Sequence, residues 1–322
     1  MTLPAEFREK LVLPAMVAPM FLVSGVDLAI AACKAGLVGS LTRNHCRDDA
    51  EFEAQLAAVN AALAQARAEG VKRVGPLAAN ISIGMAADRR AAALDACRRH
   101  GIDVVVTASG NPAEVAAMVH DWGGRIFHDV TSLRFAEKAI AADVDGIIAI
   151  GAGGGGHSGT VSHLALVPQI RAMFDGTIVM AGAIASGAAI RAAEILGADL
   201  AYLGTRFIAT RESMAPEAYK AMLVAGSPAD LVYTAAVNGL PAMWMVESLR
   251  QNGLELAHLP TPSGHNSDHL PAGAKPWKTV WSAGQGIGLI DDIPSVAELV
   301  ARLREQYRAA AAIAPFDDGA EA

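Results

Sequence analysis

The chain has 322 residues, of which 52% are apolar and 18% charged, with a formal net charge of −7. That apolar share excludes a largely disordered protein, and the length suffices for one large α/β core or two medium domains. The acidic balance, with no long Lys/Arg block, excludes a nucleic-acid footprint.

In chain order, short apolar runs alternate with alanine-rich helical stretches. Leu13–Met20 reads as a buried strand, followed by a loop over Phe21–Gly25 and a helix over Val26–Ala35 that Gly36 ends. Strands are expected at Leu37–Thr42, Gly75–Ile83, Ile102–Ser109, Arg125–Thr131, Asp145–Gly151, Gly176–Ile184 and Ala198–Phe207. Helices are expected between them at Asp48–Glu69, Ala86–His100, Pro112–Trp122, Ser132–Ala142, Leu164–Phe174 and Ser186–Leu196. Strands alternating with such helices make βαβ units and a parallel sheet, and eight in succession is the count of the (β/α)8 TIM barrel. A doubly wound open sheet is the rival architecture.

The rhythm breaks over residues 211–282. Helical pieces are expected near Pro216–Val224 and Ala242–Asn252, then a Pro/Gly-rich stretch, before a last helix over Ser295–Gln306. The division is therefore a barrel over 1–210 and 283–310, with a C-terminal helical extension or cap. The cap is an inserted helical and loop subdomain over 211–282 that covers the substrate, and a fraying tail follows over 311–322. No run of about 20 apolar residues reads as a membrane span, and the N-terminus has no signal-peptide pattern. Cys33, Cys46 and Cys97 have no metal-ligand spacing and are odd in number, so a soluble protein of the reducing cytoplasm is expected.

A barrel places its chemistry at the C-terminal ends of the strands, with phosphate sites in the loops after strands seven and eight. Those loops are Ala181–Gly187 and Leu203–Phe207. Gly182 and Gly204 expose backbone N–H groups there, Thr205 adds a hydroxyl, and Ser186 is placed to cap the next helix. The same glycines would equally relieve crowding at the rim.

After strand six stands Gly151–Thr160, GAGGGGHSGT. It contains G-x-G-x-x-G, but His-Ser-Gly-Thr follows where a dinucleotide-binding helix would open, so that fingerprint fails its context test. The glycines instead let the backbone lie flat against a planar ligand and place His157 in the mouth, as general base or neutral hydrogen-bond donor. Asn80, Ser109, His128 and Asp129 end strands three to five and are weaker candidate contacts. His265 and His269 mimic a metal pair but lie in a Pro/Gly-rich segment that reads as a solvated loop, so no metal site is expected. The seven lysines fall on helices, loops or the extension, which argues against a Schiff-base aldolase.

The order of VAPM, AANIS, FHDVT, GGGGHSGT, AGAI, GTRFIATRES and WSAGQGIGLI resembles the nitronate monooxygenases, formerly 2-nitropropane dioxygenases, over about residues 10–310. The flavin-dependent enoyl-thioester reductases belong to the same superfamily. The resemblance implies an FMN-binding barrel. Its cofactor contacts fall on Ala18, Pro19 and Met20, on Asn80, Ser109 and Asp129, and on Gly155 and Gly156 beneath the isoalloxazine. Gly182, Ala183, Gly204 and Thr205 fall at the phosphate, and Gln285 and Gly286 approach from the C-terminal segment. His157 falls on the family's active-site histidine. The chain departs from many relatives in Asp129, where they have lysine, in the AGAI loop, where they have adjacent glycines, and in the absence of an acidic residue from the strand-six loop.

The implied activity is FMN-dependent oxidation of alkyl nitronates by O2 to a carbonyl compound and nitrite, with His157 acting at the nitro group. The alternative is NAD(P)H-driven reduction of an enoyl thioester or quinone, with Trp244, Met243 and Met245 shaping an acyl tunnel. A flavin-free barrel that binds a phosphate ligand is the reading from another class. No nucleic-acid or membrane partner is expected.

Overall fold

The computed structural model describes residues 3–314. Its strands are β1 (Ala15–Val17), β2 (Gly39–Thr42), β3 (Leu77–Asn80), β4 (Val104–Thr107), β5 (Arg125–Val130), β6 (Gly146–Ile150), β7 (Gly156–His157), β8 (Thr177–Ala181), β9 (Leu200–Leu203), β10 (Leu231–Thr234) and β11 (Ala242–Met245). Eight of them pair in the order β1-β9-β8-β6-β5-β4-β3-β2, all in parallel. A parallel bridge between Met16 and Val38 closes the ring, with the Val17 amide donating to the Val38 carbonyl at 2.9 Å. This is a (β/α)8 TIM barrel.

The strands are apolar on both faces because both are buried, which is why they read as runs rather than alternations. Neighbouring residues still part ways. Ile147 and Ile178 pack outward against the helices, while Ile148 and Val179 fill the barrel with Met16, Val104, Val106 and Phe127. A short N-terminal helix, Ala5–Lys10, plugs the opposite end from the loops. Its Phe7 joins the interior cluster, and Glu6 pairs with Arg125 at the start of β5.

The helix Gly187–Ile195 starts at the expected Ser186 cap, whose Oγ accepts from the Ala189 amide at 3.2 Å. It packs closely on the last helix, Val296–Ala311, whose N-terminus carries a Ser295–Glu298 capping box. That last helix begins where expected and runs past Gln306 to Ala311; of the tail expected from residue 311, residues 315–322 lie outside the described residues. Contact between the two helices is backbone to backbone at Gly187, where an added Cβ would run into the Leu303 carbonyl and the Tyr307 amide. Neither can move without shifting a helix, so Gly187→Ala is expected to cost about 1–3 kcal/mol. A fall of several degrees in the thermal midpoint, with the circular dichroism spectrum unchanged, checks this.

The segment between the barrel's last strand and this helix differs from expectation. Instead of one helix over Ala242–Asn252, the chain forms β11 and then a helix at Val246–Gln251, and β10 was not expected at all. All four residues of β11 are buried and the strand pairs on both edges, with β10 and with β7. Ala-Met-Trp-Met fits either period, and only these distant partners decide it. The segment also forms a helix at Glu217–Ala225, whose Tyr219 and Leu223 pack with Trp281 and Ile287 over the barrel mouth. Among the described residues, no helix is long and apolar enough to cross a membrane.

Candidate active site

A cavity of about 580 Å³ opens at the C-terminal ends of the strands. The glycine loop after β6 forms one wall, and two partners hold it. On one side β7 pairs antiparallel with β11, setting His157 opposite Ala242, and the Tyr233 hydroxyl donates to the Ser158 carbonyl at 2.7 Å. On the other, the Gln285 amide donates to the Gly153 carbonyl at 2.8 Å and the Gly284 amide to Thr205 Oγ1 at 2.9 Å.

Two of the glycines have a reason beyond the one expected. A Cβ on Gly155 would lie 2.7 Å from the Gly284 nitrogen, and one on Gly284 would lie 2.7 Å from the Gly153 oxygen. Two stretches of bare backbone touch here, and side chains would separate them. At Gly156, by contrast, an added Cβ meets nothing closer than 3.8 Å. That residue alone of the three presents open space to the cavity.

His157 is oriented by a residue the sequence did not single out. Asn238, just after β10, uses its Oδ1 to accept from the Leu240 amide at 3.3 Å, so its Nδ2 faces the imidazole and donates to Nε2 at 3.0 Å. The ring proton therefore sits on Nδ1. Burial lowers the imidazole pKa from its ordinary value, and the Trp277 indole packs edge-on at 5.2 Å. The result is a neutral histidine whose Nε2 is engaged and whose Nδ1–H is a donor.

The loops after β8 and β9 line the same cavity. Gly182 (φ +121°) and Ala183 (φ +56°) both adopt left-handed backbone, so the alanine sustains a conformation that favours glycine. Among the described residues, the N–H groups of Ala183, Ile184 and Gly204 have no hydrogen-bond partner. At the floor, Asp129 Oδ1 is sealed from solvent without a partner, and burial pushes the carboxyl up to about 7. Tyr202 lies buried beside it, its own pKa raised by burial and by the Asp129 charge. No Lys or Arg side chain among the described residues lines this cavity.

The structure thus brings Ala18, Pro19, Met20, Asp129, Gly155, Gly156, His157, Gly182, Ala183, Gly204, Thr205 and Gly286 to one cavity. It does not bring Asn80, Ser109 or Gln285 to its wall. Asn80 accepts from the Thr42 hydroxyl and donates to the Val106 carbonyl, both at 3.2 Å. Ser109 (φ +56°) is exposed at a second, adjoining cavity, and exposed Gln285 contributes its backbone amide to Gly153. His128 is turned to Thr107 Oγ1 at 2.8 Å, and burial lowers its pKa to about 4. His269 bonds the Ala236 carbonyl, and the described residues contain no metal-binding cluster of three or more His, Cys, Asp or Glu. Besides Asn238, reading the sequence missed Tyr202, Tyr219, Trp277 and Ser282. Of these only Asn238-Gly239 carries a local signal, a turn dipeptide.

A profile for the family described as nitronate monooxygenase matches residues 9–306. The nitronate monooxygenase of Paraburkholderia phytofirmans is 32% identical over 215 residues, 61% of this chain and 58% of that protein. The chain spans less than two thirds of the length of the curated relatives it matches first. Among solved structures, a nitroalkane oxidase from Streptomyces ansochromogenes is 25% identical, with a TM-score of 0.73 over 94% of this chain and 97% of that one. FabK from Thermotoga maritima shares the fold at 23% identity, with a TM-score of 0.73 over 97% of each chain. The match along nearly all of the chain, with its barrel and the loops that carry His157, means that the protein belongs to the nitronate monooxygenase family.

Proposed function

We propose that the protein is an FMN-dependent nitronate monooxygenase that oxidises alkyl nitronates with O2 to a carbonyl compound and nitrite. The observation that carries this reading is His157 at the cavity wall with its Nε2 engaged by the Asn238 amide, which leaves Nδ1–H as the ring's donor. A nitronate is an anion whose charge sits on two oxygens. A neutral donor in a cavity without cations binds it by hydrogen bonding while leaving its carbon electron-rich.

The cavity also fits the cofactor. Its volume lies within the range of about 300–1,000 Å³ common for cofactor sites. The unpartnered amides of Ala183, Ile184 and Gly204, with the Thr205 hydroxyl, suit a phosphate dianion, and a side chain at Gly156 would fill space a flat ring needs. Bound there, FMN would supply the redox chemistry that no side chain offers. The chain's own residues do the rest. His157 holds the nitro oxygens, Asn238 holds His157, β11 pairs with the strand that carries it, and Trp277 packs against its ring at the cavity wall.

Anaerobic mixing of the purified protein with propyl nitronate is expected to bleach the flavin absorbance rapidly, and NADH or NADPH to do so slowly or not at all. The reverse order would overturn the reading in favour of a nicotinamide-driven reductase. A colourless protein that gains no flavin band on addition of FMN would overturn it in favour of a flavin-free barrel.

A further inference from the structure

A second cavity of about 1,080 Å³ adjoins the first and shares Asp129, Ile150 and His157 with it. It is lined on one side by the loop 108–112 with Ala113, and on another by the helix Leu133–Ala141. Ala113, Phe135, Ala139, Leu240 and Pro241 give it apolar walls, and Phe135 is 50% exposed although aromatic. Lys138 is the one Lys or Arg in the lining among the described residues, about 8 Å along its helix from Leu133. It makes no ion pair among the described residues, and its Nζ lies 6.0 Å from the Phe135 ring centre. Ser158, only 5% exposed, lines the same space with its Oγ unpartnered. Neither cofactor nor a short nitronate needs any of these features.

We propose that the second cavity is a substrate subsite for an elongated molecule, holding an aliphatic chain and its anionic terminus while the reacting group lies at His157. The inference rests on the reading of His157 as the reaction site. Three observations converge on it. The two cavities meet at Asp129, Ile150 and His157, the larger part of the second cavity's surface is apolar, and a cation without a carboxylate partner stands in its lining beside Phe135. A carboxylate-ended chain and a phosphate-ended one share this chemistry.

The test is calorimetric binding to the holoprotein, which needs no turnover. Across hexanoate, octanoate and decanoate, affinity is expected to rise about fourfold per added methylene, the value of one buried CH2. Lys138→Glu is expected to weaken decanoate about tenfold through lost attraction and added repulsion, and to leave decan-1-ol unchanged. Ala113→Trp, at an exposed position, is expected to weaken both. Tighter binding of decanoate than of decyl phosphate identifies a free carboxylate as the terminus, and the reverse a phosphate carrier.

Affinity independent of chain length, or a Lys138→Glu effect equal on acid and alcohol, would overturn the subsite. If propyl nitronate is oxidised but no chain binds, the activity stands and the subsite falls. If the chains bind as described and no nitronate is oxidised, the subsite stands and the activity falls.

Discussion

His157→Ala is expected to lower kcat/KM for alkyl nitronates by about a hundred- to a thousandfold, the usual cost of removing one donor aimed at a reacting oxyanion. Flavin content should stay near that of the wild type. The backbone at residue 157 is held by pairing with Ala242 and its neighbour Ser158 by Tyr233, and neither contact uses the imidazole. Asn238→Ala should cost about tenfold, because it frees the tautomer without removing the ring. Asn238→Asp is the sharper variant. A carboxylate beside Nε2 favours the protonated imidazolium, so the histidine titration should move up from its burial-lowered position and appear in the pH profile of kcat/KM. Wild-type turnover in His157→Ala would remove this residue from the mechanism. A pH profile unmoved by Asn238→Asp would reduce Asn238 to a structural contact.

How legible this was differs between the barrel and its cover. The eight strands stand out because each is buried on both faces and a helical stretch follows each of the first seven, some with a readable start, as at Asp48, Ser132 and Ser186. Local pattern and tertiary environment agree there. The position of the site followed from the strand ends, but a strand end fixes where a Cα lies and not where its side chain points. Asp129 faces the cavity, whereas Asn80, at the end of β3, spends its amide on Thr42 and Val106. The glycine loop was found for a partly different reason than the one that holds. Sequence shows that the chain must be small at Gly155 but not that Gly284, more than a hundred residues away, is what it must fit against. Asn-Gly at 238–239 signals a turn but not its partner: Asn238 reaches His157 only because β11 pairs both with β10 and with the distant β7, a contact with no local signature.

Asp129 supplies the other large effect. Its carboxyl is held at about 7 in the folded chain against an ordinary 3.8, because burial penalises the charged form and no cation offsets it. The folded state therefore binds this proton more tightly than the unfolded state, and stability falls as pH rises from about 4 to about 7 before levelling off. Asparagine cannot ionise. In the cofactor-free protein the thermal midpoint of Asp129→Asn relative to the wild type should rise by about 3 °C or more between pH 5 and pH 8. Substrate binding should follow the same titration. Above pH 7 a carboxylate at the floor of a cavity without lysine or arginine repels an anionic nitronate, so KM should rise with pH in the wild type and stay flat in Asp129→Asn. A midpoint difference that does not change between about pH 5 and pH 8 would mean that the Asp129 proton leaves at an ordinary carboxylate pH. The carboxylate would then be charged throughout the working range, and the nitronate would meet that charge at every pH.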